Sequence, residues 1–249
     1  MGDARCTGAG STASPSFRAC VRRRDKLHGN GWFAFGCPAK LSPMLSNFVV
    51  PNSNPFPDLI YSLGSITERL NLADLFPIAQ PLEIELGCGD ASFLAEYARQ
   101  HPEINLLGVE RLLGRLRKLN RKGRRQGATN LRGVRIESAY LLEFLLPPGV
   151  ARALHIYFPD PWPKKKHRKH RLINDRFPSL AWQALAPGGV VYLRTDDEDY
   201  FGQMTAVFAA DTRFQPSPSG LDLAVVLTDF EREFNARGIA TRRAAYQRD

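Results

Sequence analysis

Cysteine is scarce in this chain and poorly placed for chemistry. The 249 residues hold four, Cys6, Cys20, Cys37 and Cys88. None forms a C-x-x-C pair and none has histidines at zinc-like intervals, so no metal site is expected. Three fall in the first 40 residues, and a reducing, intracellular setting is the simplest reading. Long apolar runs are also missing. None reaches the ~18 residues that a membrane span needs, so no membrane association through a transmembrane helix is expected. No Ser-His-Asp or Cys-His arrangement suggests nucleophilic catalysis. Acid is in deficit, with 25 Asp and Glu against 34 Lys and Arg, a net charge of +9. That balance favours a polyanionic partner, nucleic acid before anionic lipid. A basic protein without such a partner is the alternative.

The hydrophobic fraction of 43% is ordinary for a globular protein, and the length suits one domain plus a tail. Residues 1–55 stand apart as rich in Gly, Ser, Pro and Arg, with seven Lys/Arg against Asp3 and Asp25. They read as a disordered basic arm. No compact apolar segment follows the early charges, which argues against a secretory signal, and an Arg-rich transit peptide is a lesser reading. Two readings stand for the arm: a functional segment, or a leader upstream of a true start at Met44.

From residue 56 to 249 the pattern alternates. "PLEIEL" (81–86) reads as a buried strand and "DASFLAEYARQH" (90–101) as a helix starting on an Asp cap. "INLLGVE" (104–110) is the next strand. Residues 111–127 form a helix with a stripe of Leu112, Leu116 and Leu119, capped near Gly127. Strands at 131–138 and 151–158 flank a short helix stopped by Pro147 and Pro148. A helix interrupted by Pro178, a strand ending at Asp196 and another helix follow. Such alternation predicts a mostly parallel α/β sheet, doubly wound, with ligands beyond the carboxyl ends of its strands.

The first of those ends is "ELGCGDAS". Gly87 and Gly89 permit a tight turn and close approach of backbone N–H groups to a ligand. Glu110 ends the next strand, 21 residues after Gly89, where a carboxylate can accept both ribose hydroxyls of an adenosine cofactor. A dinucleotide is disfavoured. Ser92 replaces the third glycine of G-x-G-x-x-G, and Glu85 would repel a pyrophosphate. The same Glu85 suits the zwitterionic methionine end, or the sulfonium, of S-adenosylmethionine. E-x-G-x-G with an acid ending the second strand resembles class I methyltransferases, which implies a Rossmann-like, seven-stranded sheet with an antiparallel edge strand.

After the fourth strand comes "FPDPWPKKKHRKHR" (158–171), in which three prolines bracket Asp160 and Trp162 before eight consecutive Lys, Arg or His residues, Lys164–Arg171. This loop closely resembles the signature of the tRNA (guanine-N7-)-methyltransferases. E-L-G-C-G (85–89), G-V-E (108–110), R-T-D (194–196) and T-D-F-E (228–231) are similar to the same family and fall in the same order. The resemblance implies cytoplasmic methylation of guanine N7 in the tRNA variable loop, at position 46, with S-adenosylmethionine as donor. It implies cofactor contacts at Glu85, Glu110 and Ser138, and Asp160 in the active site touching the cofactor. It implies RNA contacts at Lys164, Asp196, Thr228, Asp229, Phe230 and Glu231. A monomer is expected, with a partner subunit left open. The chain departs from the family at Ser138, where members commonly carry Asp to bond the adenine amino group. Backbone groups of Ala139 are expected to take more of that contact.

The loop's chemistry agrees. Guanine N7 carries a lone pair and no proton, so attack on a sulfonium methyl needs no general base, only in-line positioning and electrostatics. Asp160 would favour the charge developing on the purine or grip its N1–H and N2 edge, with Asp196 the other candidate for the edge. Prolines 159, 161 and 163 restrict the backbone that carries Asp160. Trp162 is either a stacking platform for a splayed base or a buried anchor. Lys164–Arg171 would hold RNA phosphates, and residues 111–135, with ten Lys/Arg and no acid, would extend the footprint. His155 and Tyr157 read as core residues. The rival functions are a methyltransferase acting on another RNA or a protein, a catalytically silent RNA-binding module, and a nicotinamide enzyme.

Overall fold

Strand β2 (Leu82–Leu86) is buried at all five positions, and so is β3 (Asn105–Val109). Strands without an exposed face need cover on both sides, which parallel sheets obtain from crossover helices. The computed structural model, which describes residues 58–249, has that arrangement. The expected arm at 1–55, with Met44, lies outside the described residues.

The remaining strands are β1 (Ile60–Tyr61), β4 (Leu131–Val134), β5 (Ala151–Tyr157), β6 (Leu185–Thr195), β7 (Phe214–Pro216) and β8 (Arg242–Arg248). They form one eight-stranded sheet in the order β1-β4-β3-β2-β5-β6-β8-β7. Every pairing from β1 through β6 is parallel; β8 runs antiparallel to both β6 and β7. Two details differ from the expected sheet. The two-residue β1 adds an eighth strand, too short to carry a readable period. The antiparallel strand also lies one place in from the edge, which β7 occupies. Chain order runs outward from β2 to β4 and then returns to β5 on the other side of β2. The crevice beyond β2 and β5 is therefore the switch point where such sheets bind ligands.

The helices are α1 (Leu72–Leu75), α2 (Ser92–Gln100), α3 (Leu113–Arg125), α4 (Ser138–Tyr140), α5 (Phe177–Ala184), α6 (Glu198–Ala209), α7 (Leu221–Val225) and α8 (Asp229–Ala236). A π-helical turn at Leu141–Leu145 extends α4, and a 3₁₀ helix spans Lys165–His170. Pro178 stands in the first turn of α5 and so begins that helix instead of interrupting it, because its missing N–H would have no intrahelical partner there. Leu116 and Leu119 of α3 are fully buried as expected, but Leu112 precedes the helix and is 54% exposed. Gly127 closes α3 in the left-handed conformation. None of the described helices is long and apolar enough to cross a membrane.

Alternation along the strands separates two cores. Ile84, Leu107, Leu154, Ile156, Val191 and Leu193 pack on one face with Phe177, Tyr200 and Phe208. Leu106, Leu119, Phe93, Tyr97 and Tyr157 pack on the other. Ionisable groups cross that second face. Glu85 stands in register with His155, His155 with Tyr192, Tyr157 with Arg194, and Arg194 with Arg243. Of these, His155, Tyr157 and Arg194 are buried and satisfied by hydrogen bonds, His155 to Tyr157 and Arg194 to Glu231. His155 bonds the Glu83 carboxylate and the Tyr157 hydroxyl, each at 2.8 Å. Burial raises the Glu83 carboxyl, but His155 and the nearby cations outweigh it and leave its pKa lowered. His155 and Tyr157 are thus core residues.

Candidate active site

Beyond β2 the chain turns through Gly87 and Gly89 at φ of 82° and 53°. The amides of Gly87 and Cys88 both donate to the Val109 carbonyl, which ties the turn to the end of β3. A Cβ added at either glycine would meet no atom within 4 Å. The glycines are there for conformation and for the open space beside them. Asp90 is not the helix cap that was expected. The residue before α2 is Ala91, also left-handed at φ 57°, and Asp90 instead accepts from Ser92 N–H at 3.3 Å and Lys122 Nζ at 2.8 Å.

Glu85, two residues before the turn in the chain, is 4% exposed, and its Oε2 has no hydrogen-bond partner. Burial pushes its carboxyl well above the usual range; Arg194 opposes the shift, while Asp90 and Glu110 add to it. A buried acceptor without a donor, just before a glycine turn, fits a cationic group of a ligand. Glu110, 6% exposed, accepts from Leu112 N–H at 2.8 Å through Oε1, and Arg115 lies 3.5 Å from Oε2.

Ser138 opens α4. The cap of that helix is Glu137, whose carboxylate accepts from Ala139 N–H at 3.0 Å and Tyr140 N–H at 2.7 Å. The Ala139 amide is therefore engaged within the helix, and the adenine contact expected of its backbone would have to displace Glu137. Glu137 was missed from the sequence. Its place just before a short helix, where a carboxylate caps well, was the available signal.

The loop after β5 is bent at two bulky residues, Phe158 at φ 49° and Trp162 at φ 44°. Non-glycine residues rarely adopt this conformation, and each costs on the order of 1–3 kcal/mol. Asp160 between them is exposed. Trp162 is 37% exposed, its ring edge-on to His167 at 5.8 Å and 5.2 Å from His170, so it is not a buried anchor. Lys164 is exposed, but the basic run is not uniform. Arg171 is 1% exposed and bonded to protein on three sides, which removes it from the residues able to meet a phosphate.

The T-D-F-E segment divides in the same way. Thr228 is the N-cap of α8, its hydroxyl accepting from Glu231 N–H at 2.9 Å, and it is 6% exposed. Glu231 is fully buried, with Arg194 on one oxygen at 2.9 Å and Arg243 on the other. Thr-x-x-Glu is the spacing of a helix-capping pair, a signal present in the sequence. Asp229 and Phe230 face outward, Phe230 51% exposed beside Phe158 and Phe234. Asp196 is half-buried, and its carbonyl accepts from Arg242. Arg194 enters the sequence pattern only through R-T-D (194–196). It proves central, bonding Glu231 and the Val226 carbonyl and lying 4.2 Å over the Tyr157 ring.

One cavity of about 610 Å³ gathers much of this. Gly87, Glu110, Ser138 and Asp160 line it, joined by Leu112, Glu137, Pro159 and Trp162. Glu85, two residues before Gly87 in the chain, is not in its wall. Gly89, Ala139, Lys164, Asp196 and residues 228–231 are not in its wall. No group of three or more potential metal ligands occurs among the described residues. The orphaned Glu85 oxygen, the open glycine turn and Glu110 fit S-adenosylmethionine as the occupant.

Comparison with known proteins agrees. A family model described as "Putative methyltransferase" matches residues 79–244. The tRNA (guanine-N(7)-)-methyltransferase of Rubrobacter xylanophilus is 36% identical over 176 residues, 68% of this chain and 77% of its own. That of Syntrophotalea carbinolica is 35% identical over 178 residues, 70% and 77%. The crystal structure of the 16S rRNA methyltransferase KamB superposes with a TM-score of 0.51 at 14% identity, covering 72% of this chain and 92% of that one, which supports the fold alone. The chain belongs to the S-adenosylmethionine-dependent tRNA (guanine-N(7)-)-methyltransferase family.

Proposed function

We propose that this chain methylates N7 of a guanine in tRNA, at position 46 of the variable loop, as a monomer in the cytoplasm. One observation carries the reading. A single cavity at the sheet's switch point joins the Gly87 turn and Glu110 to Asp160, and exposed cations continue from Asp160 along Lys164–Lys166. Bound S-adenosylmethionine supplies an electrophilic methyl group on a sulfonium. Glu85 would take the cationic methionine end, Gly87 and Gly89 would shape the turn beside it, Glu110 would accept the ribose hydroxyls, and Ser138 would border the adenine. Asp160 stands at the cavity wall, where it holds the guanine edge or favours positive charge on the ring. No residue need remove a proton, because N7 has none.

Lys164, with Asp196, Asp229 and Phe230, would meet the RNA outside the cavity. The exposed cations of α3, including Arg117, Lys118 and Arg121, would extend the phosphate contacts. Each phosphate neutralised should steepen the fall of log K with log salt by roughly 0.7–0.9. The deciding experiment is transfer of labelled methyl from S-adenosylmethionine to unmodified tRNA, followed by nucleoside analysis. Label in 7-methylguanosine is expected, and it should vanish when guanine 46 is replaced. Cofactor binding without label in tRNA would redirect the reading to another acceptor.

A further inference from the structure

The last cation of the basic run does something different from the others. Arg171 sends Nε–H to the Pro161 carbonyl at 2.7 Å, Nη1 to Gln203 Oε1 at 2.7 Å and Nη2 to Asp199 Oδ2 at 2.6 Å. Its guanidinium lies 4.7 Å from the Tyr200 ring centre. Asp199, Tyr200 and Gln203 all belong to α6. Pro161 sits between Asp160 and Trp162. We infer that Arg171 is a positioning residue, fixing the backbone that carries Asp160 and Trp162 against α6.

The loop needs such a fastening. Phe158 and Trp162 hold strained backbone at either side of Asp160, and strain persists only where the surroundings over-determine it. Pro159, Pro161 and Pro163 have no N–H, so the loop has few donors with which to fasten itself. Phe158 N–H secures the upstream end on the Arg194 carbonyl. Downstream, the Pro161 carbonyl is the handle that Arg171 grips. The same helix holds the chain just beyond Arg171, since the Tyr200 hydroxyl accepts from Ile173 N–H at 2.9 Å and Gln203 Nε2 donates to the Ile173 carbonyl at 2.8 Å. A buried guanidinium with three partners in fixed directions cannot be replaced by the single point charge of lysine.

The inference rests on the reading of Asp160 as an active-site group, and the test separates the two. Arg171→Lys in the full chain is assayed for methyl transfer, with rates expressed per S-adenosylmethionine site counted by calorimetry. Expected is a fall in kcat of roughly 30-fold, with cofactor Kd and tRNA KM each held within about threefold. Unchanged kcat per site, with only fewer sites or a lower Tm, would mean a purely structural role and overturn the inference. Should Arg171→Lys not fold, Gln203→Leu removes one of the three Arg171 bonds, together with the Gln203–Ile173 bond, and leaves the charge paired to Asp199. It should lower kcat per site by roughly threefold with the same binding constants, and full activity would overturn the inference. Asp160→Ala is run in parallel. If it is fully active, the reading of Asp160 has failed and the inference with it. If it is inactive while Arg171→Lys keeps its kcat, only the role of Arg171 is refuted.

Discussion

Two loops meet at the mouth of the cavity, and they solve one problem in opposite ways. Both leave the carboxyl end of a parallel strand, β2 or β5, and both must turn through left-handed backbone. After β2 the turn uses Gly87 and Gly89, for which that conformation has no steric cost. After β5 it uses Phe158 and Trp162, for which it does. The glycine turn is held by backbone bonds to Val109, whereas the proline loop has a backbone bond only at its Phe158 end and is gripped beyond it by the Arg171 side chain. A loop that only has to leave room for a ligand can be made of glycine. The loop proposed to hold one carboxylate still is stiffened by prolines and then fastened, at a cost in local stability.

The largest effect expected from breaking this contrast is at Asp160. Asp160→Ala leaves the prolines, the strained residues and the Arg171 contact in place. The fold should therefore survive, and kcat should fall on the order of 10³-fold. Single-turnover methyl transfer with saturating tRNA and S-adenosylmethionine measures it, and Tm should stay close to that of the parent. An active variant would show that the loop serves to shape the cavity and not to present an acid.

On the glycine side the corresponding residue is Glu85. Burial raises its pKa in the empty site, so below that value it is held neutral and must lose a proton to meet a cation. Cofactor binding should release a proton, seen as a dependence of the calorimetric enthalpy on buffer ionisation, and affinity should rise with pH up to the raised pKa. Glu85→Gln abolishes both and weakens binding about 100-fold, as for loss of a charged hydrogen-bond partner. Stability moves the other way. The folded protein holds the Glu85 proton more tightly than the unfolded chain, so this contribution is complete below the unfolded pKa and lost as pH rises through the folded one. The apo form of Glu85→Gln should therefore gain Tm on the alkaline side of that window, by about 2–4 °C for each kcal/mol of relief. No gain would show that the orphaned oxygen is not a source of instability.

The same contrast explains what could be read from the sequence. The alternation of strands and helices, the glycine turn and the acid at Glu110 depend on local pattern, and all were legible. The Asp160 loop was legible as a motif, but its strain was not, because nothing in "FPDPWP" says that Phe158 and Trp162 adopt positive φ. Nor was the division of its cations. Arg171 is chemically like Arg168, and only the packing of α6 puts one inside and leaves the other partly exposed. Thr228 and Glu231 fell to the same ambiguity, since the capping spacing and a substrate motif are the same letters. Strand β8 was missed because "RRAAYQR" has no apolar–polar alternation, and its place is set by pairing with the distant β6 and with β7.

The smallest effects test whether strain is functional in one loop and incidental in the other. Ala91 and Phe158 both sit at positive φ, and glycine relieves either. At Ala91 the gain of on the order of 1 kcal/mol is offset by one buried methyl and by a freer unfolded chain. Ala91→Gly should thus change stability by under about 0.5 kcal/mol in urea denaturation and leave both substrate affinities alone. Phe158→Gly removes the same strain but also the ring that packs near Phe234 at 5.7 Å and Phe230 at 6.4 Å, and it frees the residue just ahead of Pro159 and Asp160. Its kcat should drop about tenfold while cofactor affinity holds, because a positioned group loses rate as its geometry loosens. Equal behaviour of the two variants would mean that positive φ at Phe158 is only a way of turning a corner; a loss confined to Phe158→Gly makes it part of how Asp160 is aimed.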